Sequence, residues 1–106
     1  MALAAAVAGA TRPSQLITWS RADGNPETLT DATLSGRIRD RETGVTRAIA
    51  GTLTTVDGAG GVFRWNYAPG DVATAGNYDV QFVAAFETGQ TPAKTFASQW
   101  TVAEAI

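Results

Sequence analysis

The side chains that most often carry chemistry are few in this chain. Its 106 residues include no cysteine and no histidine. That removes thiolate nucleophiles, zinc–sulfur centres, and the commonest general base and metal ligand. Ten carboxylates remain against eight basic groups, and Lys94 is the sole lysine. A glycosidase-type reaction needs two carboxylates about 5–10 Å apart in a cleft, and a chain this small has little material for a cleft. Asp23, Asn25 and Asp57 offer oxygen donors of the kind calcium takes, but the donor spacing of an EF-hand is absent. Asp57-Gly58-Ala59-Gly60-Gly61 is glycine-rich. A phosphate-cradling loop leads into a helix, whereas strand patterning resumes at Val62, so this segment is expected to be a hairpin connection. The expectation is a protein that is not an enzyme and holds no cofactor and no metal. A net charge of −2 and a pI near 4.9 lack the basic surplus that offsets phosphate, so no nucleic acid is expected as a partner.

The groups left to do something are suited to contact. Arg37, Arg39, Arg41 and Arg47 gather around one predicted hairpin. They fit either bidentate pairing with acidic groups on a partner protein or a solvated face balanced by Asp40 and Glu42. Residues 1–12 open with the uncharged, alanine-rich run MALAAAVAGA. The run lacks the basic start and cleavage site of a secretory signal. Arg12-Pro13 interrupts it well short of the roughly 20 apolar residues of a membrane span, so no membrane contact is expected. This segment is expected to be an extended arm that packs on a neighbouring subunit, with Leu3, Val7 and Arg12 as contacts and Ile106 joining them from the other end of the chain. The sandwich is expected over residues 13–106.

What must position these groups is a β framework. Hydrophobic residues make up 44% of the chain, enough for one core in a chain of single-domain length. Glycine, proline and turn pairs recur too often for long helices: Asp23-Gly24-Asn25-Pro26, Thr43-Gly44, Pro69-Gly70, Ala75-Gly76-Asn77 and Thr88-Gly89. Between them the residues alternate. Ile17 and Trp19 share a face over residues 15–20. Leu34, Gly36 and Ile38 point inward over 33–40, with Arg37 and Arg39 outward. Ile49, Gly51 and Leu53 form the inner row of a single run over 46–56. Phe63, Trp65 and Tyr67 share a face over 62–67. Tyr78, Val80, Phe82, Ala84 and Phe86 do so over 77–86, and Phe96, Ser98, Trp100 and Val102 over 95–102. Period two with one polar face marks half-buried antiparallel strands. About seven such strands predict an all-β, immunoglobulin-like antiparallel sandwich. Trp65 and Trp100 are expected in its core. Trp19 is expected either in the core or facing a neighbour.

The stretch Asp71–Tyr78 predicts a particular corner. In immunoglobulin-like sandwiches a tyrosine near the start of a late strand donates its hydroxyl to backbone a few residues upstream. Tyr78 stands at that place. Gly76 is expected to permit the bend before the strand, and Asp71 to cap a turn over residues 72–75.

Gly24-Asn25-Pro26-x-x-Leu29-Thr30-Asp31-Ala32-Thr33, then Gly61-Val62-Phe63-Arg64-Trp65, then Gly70-Asp71-x-Ala73-x-Ala75-Gly76-x-Tyr78, then a last strand ending Trp100-Thr101-Val102 together resemble the N-terminal domain of the phage baseplate upper protein family. They are also similar to the small immunoglobulin-like virion proteins of tailed phages. The resemblance covers roughly residues 14–102 and rests on structural turns. It implies a building or decorating part of a virion, assembled in the bacterial cytoplasm. With the sandwich standing alone, a capsid decoration (cement) protein is the leading expectation. Its partners would be capsid or other virion proteins, and a homo-oligomer, a trimer among the options, is expected. The alternatives are a baseplate or tail component, or a carbohydrate-binding module with an exposed aromatic row.

Overall fold

The computed structural model describes residues 3–21, 23–86, 92–95 and 97–106, so the expected inward Phe96 and the Thr88-Gly89 turn lie outside the described residues. Among the described residues nine strands form two sheets: β1 (Ala6–Val7), β2 (Gln15–Thr18), β3 (Ala32–Asp40), β4 (Thr46–Ala48), β5 (Thr52–Asp57), β6 (Val62–Asn66), β7 (Gly76–Phe86), β8 (Ala93–Lys94) and β9 (Ser98–Ala103). The larger sheet runs β1-β9-β7-β3-β4, with β8 paired to β7, and the smaller runs β2-β6-β5. Taking β7 as strand F, these orders follow the G-F-C-C′ and B-E-D sheets of an immunoglobulin-like sandwich. The two sheets pack face to face, as the alternation requires.

The inward rows read from the sequence are the ones that are buried. Ile17, Ile38, Phe63, Trp65, Val80, Phe82, Trp100 and Val102 are almost wholly inaccessible, and Trp19 joins them with only 5% of its surface exposed. Trp65 lies at the centre of the aromatic cluster. Its ring centroid is 4.6 Å from Trp100, 4.8 Å from Tyr67 and 5.9 Å from Phe82. Leu29, fully buried, anchors the turn into β3. Its N–H donates to the Gly58 carbonyl at 2.8 Å and its carbonyl accepts from Ala32 at 3.1 Å. Asp31 completes that turn with φ of 61°, a left-handed conformation that aspartate tolerates better than most residues.

Two expectations are corrected. The run over 46–56 is not one strand. It breaks after Ala48, and the chain crosses from the larger sheet to the smaller one before β5 begins. The alternation of Ile49, Gly51 and Leu53 survives the crossing, which is why the break is invisible to periodicity. Of the arm expected over 1–12, residues 4–9 do not stand apart from the sandwich. Ala6 pairs in parallel with Val102, and Val7 with Ala103. Ala8 and Gly9 donate to the Ala103 and Val72 carbonyls at 2.8 and 2.7 Å, and Ala6 is buried in the core. The Gln15 side chain holds the same segment from the other sheet. Its Oε1 accepts from the Ala4 N–H at 2.6 Å and its Nε2 donates to the Ala4 carbonyl at 3.2 Å. Backbone groups that a free arm would leave to water or a neighbour are thereby satisfied within the chain.

The corner is present. The Tyr78 hydroxyl donates to the Thr74 carbonyl at 2.7 Å. Tyr78→Phe is expected to cost about 0.5–1.5 kcal/mol of stability, read from urea unfolding. An unchanged midpoint would mean that the bond contributes nothing net. Gly76, in contrast, opens β7 opposite Val102 without a positive φ. A Cβ there would meet only the Tyr78 ring and hydroxyl at ordinary contact distance, so the bend does not depend on glycine.

Candidate functional site

The expected contact residues divide between the outer face of the larger sheet and its interior. Arg37 and Arg39 project from the solvent side of β3, where they face Gln81 and Asp79 of β7 in register. Arg41, just past β3, is tied alongside by its backbone N–H, which donates to the Asn77 carbonyl at 3.2 Å. Asp79 serves both neighbours: Arg39 donates to it at 3.0 Å and Arg41 lies 3.7 Å away. Arg37 forms no ion pair among the described residues. Three guanidinium groups therefore share one outer surface with a single carboxylate between them. Half-exposed ion pairs of this kind contribute little to folding, about 0–1 kcal/mol. Their planar donors remain available for carboxylates elsewhere.

Arg47 does not belong to that surface. It pairs with Ile38 across β3 and β4, and partners directly opposite in an antiparallel ladder share a face. Its side chain therefore turns inward at the edge. One Nη donates to the Asp71 carbonyl at 3.2 Å, and the guanidinium lies 5.8 Å from the centre of the Tyr78 ring and 3.7 Å from the Asp71 carboxylate. A register is needed to place it, and sequence alone supplies none.

Asp71 has a role that differs from the expected cap over 72–75. It closes a single 3₁₀ turn, Pro69–Asp71, and is only 1% exposed. Its carboxylate accepts the N–H groups of Ala50 at 2.8 Å, Gly51 at 2.9 Å and Ala68 at 3.1 Å, together with the Trp65 indole N–H at 3.2 Å. This is the crossing between the two sheets. The two backbone N–H groups that leave the ladder there are received by one buried anion. Gly51 is required beside it, because a Cβ would run into the Asn66 carbonyl and come within 2.7 Å of the Asp71 carboxylate. Nothing in the spacing of residues 50, 51 and 71 signals this arrangement.

No protein-family model and no curated protein matches this chain. Leu3 packs partly against the core, Val7 is 45% exposed on β1, and Ile106 lies fully exposed beyond β9. Val7, on β1, is separated from the arginines of β3 by β9 and β7. Arg12 and Tyr67 help line an open hollow of about 600 Å³. The Tyr67 hydroxyl accepts from Gln15 Nε2 at 2.7 Å, and burial raises its phenol above the usual value of 10.0. Trp100 Nε1 is close enough to Tyr67 to favour its ionised form, yet it is buried without a hydrogen bond of normal geometry. All three tryptophans are buried, so none of them lies in an exposed aromatic row of the kind that stacks on sugars.

Proposed function

We propose that this protein is a non-enzymatic structural component of a tailed-phage virion, a capsid decoration protein that docks its arginine face on acidic groups of the shell. The observation that carries the reading is the surface of Arg37, Arg39 and Arg41 with one carboxylate among them. It lies on a rigid sandwich whose turns resemble those of phage virion proteins. Stabilisation would come from mass action: whatever binds the assembled shell and not its dissociated parts favours the shell. The placement of Arg41 at the edge of the same surface extends the contact beyond β3. A baseplate or tail location is the alternative within the same class.

The test is co-sedimentation with purified heads. The double reversal Arg37→Glu and Arg39→Glu is expected to weaken binding at least about tenfold, since like charges brought together across an interface cost several kcal/mol. Wild-type binding is expected to fall as salt rises. Arg39→Glu also loses the pair to Asp79 and sets a like charge opposite it, so the isolated variant should unfold somewhat earlier than wild type, by about 1 kcal/mol, and binding is compared at a temperature where both are folded. Undiminished sedimentation of the variant would rule out the arginine face, and wild-type protein recovered only with tails would move the site to the tail.

A further inference from the structure

Among the described residues the smaller sheet has one long edge strand whose outer side is unpaired. Unpaired strand edges are normally blunted by shortness, charge, proline or a covering segment. The larger sheet ends in β1, which is two residues long, and β4, which is three. At β2, the opposite edge of the smaller sheet, the Gln15 side chain binds the folded-back segment at Ala4. β5 differs from all of these. It spans six residues, pairs among the described residues only with β6, and its first five residues, 52–56, close a nine-residue run, Ala48–Val56, without charge or proline, with Asp57 at the strand's end. Among the described residues its backbone donates or accepts no hydrogen bond outside the β6 ladder. Alternate N–H and C=O groups of an antiparallel strand point away from its one neighbour. Among the described residues the blunting is confined to one end of β5, where Asp57 supplies a charge and the bulge between Thr55 and Asp57 leaves Val56 as an extra, half-exposed apolar residue at the same edge.

We infer that β5 pairs antiparallel with β5 of a second copy of this chain across a two-fold axis, joining the two smaller sheets into one. The occupant is set by self-complementarity. A two-fold centred on Thr54 places it opposite its own copy and Leu53 opposite the partner's Thr55. Antiparallel partners must share a face, and this register satisfies that rule because residues 53 and 55 lie two apart on one strand. No like charges meet, since the nearest charge, Asp57, lies beyond the bulge. The pairing rests on the sheet edge alone and is independent of the virion reading.

The chain has no cysteine, so a single introduced thiol reports the contact. Thr54→Cys is expected to form a disulfide-linked dimer under mild oxidation, because facing residues of an antiparallel pair lie within disulfide reach. Leu16→Cys, also exposed but on β2, should remain monomeric. Light scattering of the wild type should give twice the 11.0 kDa chain mass, and Thr54→Glu, which faces Arg64 within the chain but its own copy across the two-fold, should return it to one chain mass with a thermal midpoint that no longer depends on protein concentration. A wild type that stays at one chain mass at millimolar concentration, a mass of three chains, or equal cross-linking at residues 16 and 54 would overturn the inference. A dimer that ignores phage particles would count against the decoration role and leave the pairing intact.

Discussion

Asp71→Ala is expected to remove about 4 kcal/mol or more of folding stability, a large share of the roughly 5–15 kcal/mol that holds a domain together. The argument is one of unmet donors. The wild-type carboxylate is 1% exposed and receives three backbone N–H groups and one indole N–H. Deleting it leaves all four without an acceptor in a place that water reaches poorly, and each buried unsatisfied group costs about 1–3 kcal/mol. Asp71→Asn should fall between. Its single carbonyl oxygen can replace the carboxylate oxygen that serves Gly51, Ala68 and Trp65, but its amide then presents N–H groups to the Ala50 N–H and to Arg47. Arg47→Met should cost less, about 1–2 kcal/mol, because its ion pair is long and partly solvated and it gives up one hydrogen bond, to the Asp71 carbonyl, and its place over the Tyr78 ring. Urea unfolding of the three variants gives the order. An Asp71→Ala loss no larger than that of Arg47→Met would mean that the crossing is held by packing rather than by the anion.

The same carboxylate explains which parts of the fold were legible in the sequence. β3, β6 and β7 were readable because each alternates between one apolar and one polar row, and a sandwich buries one row per strand. The tyrosine corner was readable because its donor and acceptor lie only four residues apart, at Tyr78 and Thr74. The break after β4 was not, because what ends the strand is an acceptor 20 and 21 residues further on. The N-terminal pairing was hidden for another reason. Alanine side chains make no pattern of large and small, and the contacts that fix residues 4–9 are backbone hydrogen bonds and one glutamine amide. Arg47 failed on register: its inward face follows from Ile38 standing opposite it, a tertiary fact. The surface of Arg37, Arg39 and Arg41 was legible in outline, since parity alone sends the two β3 arginines to the polar side. The shared carboxylate of Asp79 was not, because it lies 40 residues from Arg39.

Trp65→Ala is expected to cost about 3–5 kcal/mol, the range for truncating a buried aromatic to a methyl group. The position joins the two determinants of the fold. Its ring contacts Tyr67 just past the end of its own strand and Phe82 and Trp100 from the facing sheet, so truncation opens a cavity between the layers. Its indole N–H also donates to Asp71 at 3.2 Å, so the anion loses one of its four donors. Trp65→Phe separates the two effects. Phenylalanine keeps most of the ring contacts and lacks the N–H, and should cost about 1–2 kcal/mol from the missing hydrogen bond and the smaller ring. In a double-mutant cycle with Asp71→Ala, the Trp65→Phe change should lose part of its effect, because the partner of the missing donor is already gone. Strict additivity of the two substitutions would show that Trp65 acts through packing alone. The arginine surface would then be supported by a core whose crossing is stabilised independently of its central tryptophan.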